Sequence, residues 1–248
     1  MWGNKELDEI TQGIAEAFNL IVTLNPDMLE IAALSLYISL AATLLATLIA
    51  IPVGALIHFN EFRGKRLLLI AIQTLYSVPT VVVGLVIYLL ISKSGPLGMF
   101  ALLFTPSGMI LGQTVLIVPI ITGLVISALS GIDRSINDTL VSLGATHLQK
   151  VAEIIREARF AILSAVVLGF GRAIAEVGVA MMIGGNIRGH TRVLTTAITL
   201  ETGMGGFGMS IALGIILLIV ALIVVIALNI ITAGLTDDMQ KIAGGSRG

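Results

Sequence analysis

The chain has no cysteine, which excludes disulfides and thiolate metal sites. It is also short of charge. Asp, Glu, Lys and Arg make up 12% of its 248 residues, against about a quarter in an ordinary soluble protein. Hydrophobic residues reach 56% and the mean hydropathy is +1.05. Most of the surface must therefore face something other than water, and lipid is the default solvent. Three catalytic signatures are missing as well: G-x-x-x-x-G-K-[ST], H-E-x-x-H and G-x-S-x-G. The first absence matters most, because it denies the chain a P-loop with which to bind and hydrolyse ATP. His58, His147 and His190 lie outside the long apolar runs and far apart, so no metal site is expected.

What the chain does have is uncharged runs. Ile31 to Ile57 carries no charge, and as a helix it would be roughly 40 Å long, more than a bilayer core requires. Leu67 to Ser92 is a second such run. A third, Ser94 to Ile132, is too long for one span and is punctuated by Gly95-Pro96 and Thr105-Pro106-Ser107-Gly108. The expected spans are 31–57, 67–92, 108–130, 160–185 and 209–232, with Met99 to Phe104 an interfacial segment. The fold class is thus an all-α polytopic membrane protein of about five spanning helices. Pro79 and Pro119 fall inside spans, where each favours a kink.

Residues Lys5 to Leu24 read differently. Ile10, Ile14, Ala17, Phe18 and Ile21 recur at helical spacing with acids opposite, the pattern of an amphipathic helix lying on the membrane or on the protein. The first thirty residues hold Glu6, Asp8, Glu9, Glu16, Asp27 and Glu30 against Lys5 alone. That is the wrong charge for a secretory signal, so no cleavage is expected. Basic residues set the orientation. Arg63, Lys65, Arg66, Arg134, Lys150, Arg156, Arg159, Lys241 and Arg247 fall on one side, and Lys5, Lys93, Arg188 and Arg192 on the other. The N-terminus is expected outside and the C-terminus in the cytoplasm, with residues 244–248 a disordered tail.

The longest cytoplasmic segment on this reading, Gly131 to Arg159, has the pattern of two short helices. Asp133 can cap the first, whose apolar residues are Ile136, Leu140 and Leu143. Gly144 stands where a left-handed helix end is wanted. Thr146-x-x-Gln149 is a capping box opening the second, with Leu148, Val151, Ala152 and Ile155 as its apolar stripe. The stretch Asp138-Thr139-Leu140-Val141-Ser142-Leu143-Gly144-Ala145-Thr146 resembles the "EAA" loop of type I ABC importer permeases. Asp138 replaces the usual Glu, Thr139 and Leu140 replace two Ala, and Glu157 stands in place of Pro. In that family the loop is a coupling helix that docks on the ATPase. The resemblance therefore implies that Asp138, Ser142, Leu143, Gly144, Ala145, Thr146 and Leu148 face a nucleotide-binding partner. Without it, the loop reads as a passive connection.

Gly169-Phe170-Gly171-Arg172-Ala173-Ile174-Ala175-Glu176 places a base and an acid four apart on one face of the fourth span. A charge at the bilayer centre costs about 2.5–3.5 kcal/mol, so such a pair faces the protein interior or a wet cavity. Two readings stand: a permeation path or gate, or an ion pair that locks helix packing. Tyr76-Ser77-Val78-Pro79-Thr80-Val81-Val82-Val83-Gly84-Leu85 and Gly184-Gly185-Asn186-Ile187-Arg188-Gly189-His190-Thr191-Arg192-Val193-Leu194 are similar to segments of molybdate, sulfate and tungstate permeases, most like those for tungstate. Ser77 and Pro79 join the path candidates on that resemblance. Gly203 to Gly208 reads as an external turn.

The resemblance implies an ABC transmembrane type-1 domain over 30–235, preceded by an external amphipathic segment, 1–29, and followed by a cytoplasmic tail, 236–248. It implies a non-enzymatic permease subunit importing tungstate, or molybdate or sulfate, with ATP and Mg on a separate ATPase. The implied partners are a second copy of the chain, two ATPase subunits, an external substrate-binding protein and the bilayer. An ion-coupled secondary transporter is the rival, although no repeat relates the two halves. An intramembrane protease would need paired acids or a Ser–His pair at depth, and Glu176 is the lone intramembrane acid. A structural scaffold would leave the EAA-like loop unexplained.

Overall fold

A chain in lipid must satisfy its backbone polar groups internally, which leaves helices or a closed barrel as its options. The computed structural model describes residues 2–23 and 25–244, and no strand occurs among them. The helices are α1 (Trp2–Val22), α2 (Pro26–Phe59), α3 (Lys65–Leu75), α4 (Thr80–Ile91), α5 (Pro106–Ser130), α6 (Arg134–Ser142), α7 (His147–Glu157), α8 (Arg159–Ile174), α9 (Gly178–Gly184), α10 (Leu194–Gly203) and α11 (Phe207–Gly244). Three of these are long and apolar enough to cross a membrane, α2, α5 and the Phe207–Ala227 part of α11. The number is five if α3 with α4 and α8 with α9 each make one span.

Those two pairs correct the continuous spans expected over 67–92 and 160–185. Pro79 sits at the N-cap of α4 with φ −57° and ψ 126°. It has no N–H to continue a helix, and it pushes the residue before it out of the α region. It therefore breaks the span instead of kinking it. The second break, after Ile174, centres on Glu176. Pro119 does lie within α5, and Pro52, which the sequence reading passed over, lies within α2. The 99–104 segment contains one 3₁₀ turn, Gly98–Phe100. The last helix runs to Gly244, well past the expected end at 232; residues 245–248 of the expected tail lie outside the described residues.

The chain divides into two compact units. Unit 1 comprises Met1–Ala42, Pro79–Leu116 and Arg172–Ile223, and unit 2 comprises Thr43–Val78, Ile117–Gly171 and Val224–Gly248.

In unit 1 the short α9 is wedged between α4 and α5 by glycines. A Cβ at Gly178 would lie 2.6 Å from Thr80 Oγ1 and 3.0 Å from the Val81 nitrogen; one at Gly84 would lie 3.0 Å from Met182 Cβ. On the α5 side, Gly112 abuts Val179 and Ile183, and Gly184 abuts Met109. Lipid gives helices no hydrophobic reason to associate, so close backbone approach through small residues carries the packing. Thr80 meets Gly178 and Gly84 meets Met182, so α4 and α9 run parallel. The same logic acts on α1. Gly13 and Ala17 are buried, with Gly13 against Phe207 and Ile211 of α11. Leu20 and Ile21 pack half-buried beside Ala17, while Ile14 and Phe18 of the expected stripe face outward; Ile10 and Leu24 lie outside the residues whose side chains are described.

In unit 2, Gly54 of α2 packs on Val125 of α5, and His58 Nδ1 lies 3.3 Å from Ser130 Oγ. These contacts advance together, so α2 and α5 are parallel. Helix α8 packs on α5, with Gly169 against Ile121.

The glycine packing generates a test. Gly178→Val should destabilise the protein by about 1–3 kcal/mol through overpacking against backbone. Gly171→Ala, where nothing lies within 4 Å of the added Cβ, should not. Thermal unfolding in detergent distinguishes them, and equal melting temperatures would contradict the packing account.

Candidate functional site

The α6–α7 hairpin is built almost entirely from capping interactions. The Asp133 carboxylate accepts the Ser135 N–H at 2.8 Å, and that hydrogen bond holds its carboxyl below the ordinary range. At the other end of α6, Gly144 N–H donates to Val141 O and Ala145 N–H to Leu140 O, each at 3.0 Å. This pair of bonds is the Schellman closure, and it requires the left-handed φ of +75° that Gly144 adopts. Nothing lies within 4 Å of a Cβ there, so conformation and not space demands glycine. Helix α7 then opens with a capping box: Thr146 N–H donates to Gln149 Oε1 at 2.8 Å, and Gln149 N–H to Thr146 Oγ1 at 3.4 Å.

The turn is thus four residues long, with little left to flex. Its surface is apolar. Leu143 is 77% exposed and Leu148 79%, and Val141, which the sequence reading did not select, is 54% exposed. Asp138, Ser142, Gly144 and Thr146 are exposed and Ala145 is half-buried. Farther from the tip, Ile136 and Leu140 are half-buried and Ile154 and Ala158 are buried. The stripe expected on α7 is corrected: Ala152 is exposed, Ile154 is buried, and Leu148 belongs to the tip. The sequence-predicted coupling residues are therefore brought together around one turn.

The second constellation lies at the breaks, in unit 1. Glu176 follows the end of α8 instead of sitting inside a continuous helix. Its side chain is 1% exposed, and its Oε2 accepts from Arg172 Nη1 at 2.6 Å. Its Oε1 accepts from Val179 N–H at 3.1 Å, closing the start of α9, and its backbone carbonyl accepts from Thr195 Oγ1 at 2.8 Å. The Glu176 N–H itself donates to Ala173 O at 3.2 Å. The Arg172 side chain remains 37% exposed. Because Thr80 touches Gly178, the break at Pro79 and the break at Glu176 adjoin. Ser77 lies exposed just ahead of Pro79. The sequence reading missed Thr80 and Thr195 as members of this site; hydroxyl residues beside a glycine-rich charge motif were the available signal.

The connection from α9 to α10 is held by Thr191, whose hydroxyl donates to Gly184 O at 2.6 Å and accepts from Ile187 N–H at 3.1 Å. Arg188 pairs with Asp27 near the start of α2. The Leu194 N–H at the head of α10 donates to Ser35 Oγ at 2.7 Å.

Replacing Glu176 by Gln preserves an acceptor for Val179 but leaves a guanidinium without its counter-ion. Glu176→Gln should cost about 1–3 kcal/mol of stability, and Arg172→Leu in the same chain should recover part of it. Strict additivity of the two changes, measured by unfolding in detergent, would show that the pair is not coupled.

Comparison with known proteins agrees with this architecture. Residues 46–237 match the family model described as "Binding-protein-dependent transport system inner membrane component". The tungstate uptake system permease protein TupB of Peptoclostridium acidaminophilum is 39% identical over 232 residues, 94% of this chain and 100% of the relative. A probable anion ABC transporter permease protein of Haloferax volcanii is 42% identical over 200 residues, 79% of this chain and 86% of that one. Among solved structures, a chain of the MetNI methionine ABC transporter superposes with a TM-score of 0.70 at 18% identity, covering 86% of this chain and 97% of its own; this likeness concerns the fold. With its all-helical membrane architecture and these relatives, the chain belongs to the inner membrane components of binding-protein-dependent transport systems, among the ABC transporter permeases of the tungstate-uptake type.

Proposed function

We propose that the chain is the membrane-spanning half of an importer that carries a tetrahedral oxyanion, tungstate ahead of molybdate or sulfate, across the cytoplasmic membrane by ATP-driven alternating access. It works as a homodimer with two ABC ATPase subunits, which hold ATP and Mg, and an external binding protein that delivers the anion. The carrying observation is the α6–α7 hairpin. Asp138, Ser142, Leu143, Gly144, Ala145, Thr146 and Leu148 form a stiff, doubly capped turn that exposes apolar side chains. An element that transmits work from a separate motor needs both stiffness and an adhesive face. The tungstate assignment draws on the name of the P. acidaminophilum relative and on the length of its match.

The parallel course of α2 and α5 supports five spans over three. Two parallel spanning helices must be joined by a segment that recrosses the bilayer, and α3 with α4 is that segment. Five spans then separate the termini, and the basic residues of 63–66 and 131–159 put the C-terminus in the cytoplasm and the N-terminus outside. On this plan the transmembrane domain is 30–235, between the external segment 1–29 and the tail 236–248.

Arg172, Glu176, Ser77 and Pro79 belong to the translocation path or its gate. Helices α4 and α9 both begin where Thr80 meets Gly178, which sets two positive helix ends together at a break. Arg172 directs one of its five N–H donors to Glu176, and its exposed remainder is free to meet an anion. Glu176 is the positioning residue that holds the break and aims the guanidinium.

Co-purification from membranes tests the docking assignment. Gly144→Asp and Leu143→Asp should each reduce recovery of the ATPase subunit at least about tenfold, as expected for loss of roughly 1.4 kcal/mol or more of binding. Recovery equal to wild type with both variants would overturn it.

A further inference from the structure

Unit 2 contains a second polar feature, which the hairpin does not use and which shares only Tyr76 with the sequence motifs. A cavity of about 420 Å³ lies between α3 and the second half of α5, lined by Gln73, Tyr76, Gly123, Ser127 and Ser130 among aliphatic side chains. No charged residue lines it. We propose that it is a resting site for the transported oxyanion, held by neutral hydrogen-bond donors; this rests on the oxyanion-import reading above.

Two of the donors are unspent. Ser130 Oγ donates to Ile126 O at 2.8 Å and also faces His58, so it is occupied. The Tyr76 hydroxyl donates to Ile120 O over a long 3.4 Å. The Gln73 amide and the Ser127 hydroxyl have no protein partner among the described residues. Two unpartnered side chains thus border one space with the Tyr76 hydroxyl, all three on exposed residues, and within a membrane domain a polar group without a partner is costly. The tyrosine is seated on purpose-shaped ground: a Cβ at Gly123 would lie 1.5 Å from its hydroxyl oxygen. At about 30 Å³ per water, the cavity has room for a tetrahedral anion that keeps part of its hydration. The amide and hydroxyls replace the water that it sheds.

Neutrality is the functional point. A site on a permeation path must bind well enough to be entered and weakly enough to be left. A guanidinium or ammonium here would hold a divalent oxyanion too long, and a carboxylate would repel it. Hydroxyl and amide dipoles do neither. They also stabilise the anion without a counter-ion having to move with it.

The test uses the complete transporter, with its ATPase and binding protein, reconstituted in liposomes and assayed for tungstate uptake. Gln73→Leu with Ser127→Ala should lower uptake about tenfold or more, since hydrogen bonds to a charged group are the stronger kind. Ser127→Thr, which restores a hydroxyl, should keep uptake within about threefold of wild type. Ser127→Lys should slow uptake while leaving tungstate bound to the detergent-purified complex after gel filtration, which wild type should not retain. Uptake by the double variant within twofold of wild type, or loss in Ser127→Thr equal to that in the double variant, would overturn the site. Failure of the wild-type complex to take up any oxyanion would instead overturn the import reading on which it rests.

Discussion

Backbone groups inside a bilayer have no water to turn to, and the departures from plain helix in this chain follow from how that demand is met. The break in the α8–α9 pair survives because one acidic residue does three things. Glu176 accepts from Arg172 and from the head of α9 through its carboxylate, and from Thr195 through its carbonyl. The α4 break is covered differently, by pressing Thr80 and Val81 onto Gly178. Both solutions produce short, rigid half-helices that start at one place. Outside the apolar runs the same accounting shapes the hairpin, where Asp133, Gly144 and Thr146 consume the free helix ends and leave Leu143 and Leu148 exposed.

Rigidity at these two places serves different ends. Each backbone N–H of the hairpin's four-residue turn, from Leu143 to Thr146, is committed, the stiffness that the proposed coupling role requires. At the breaks, local structure is fixed while Arg172 stays half-exposed, so a charge is presented without the chain being loosened. The cavity beside α5 adds a third kind of feature, polar but uncharged. Selectivity concentrated on an external binding protein would suit a membrane domain whose own contacts are few and weak.

Much of this was legible in the sequence, because membrane solvation imposes simple rules. Uncharged runs marked the membrane segments, and the hairpin followed from its caps: Asp133, Gly144 and the Thr146–Gln149 box all act as their spacing suggests. Resemblance identified the family correctly. The breaks at Pro79 and Glu176 were not legible, since hydropathy is blind to a helix that ends and restarts within one apolar run. On α1 the helical spacing left open whether the apolar face met lipid or protein; Gly13 and Ala17 turn inward while Ile14 and Phe18 stay exposed, because helix contacts in a membrane protein select small residues.

The claim on which the account turns is that the hairpin faces the cytosol and meets a separate motor there. The chain has no cysteine of its own, so Leu148→Cys provides a unique reporter. A membrane-impermeant maleimide should label it in inverted membrane vesicles and not in intact cells, and co-expression of the ATPase should protect it. Labelling from outside intact cells would place the hairpin on the wrong face and contradict the importer reading.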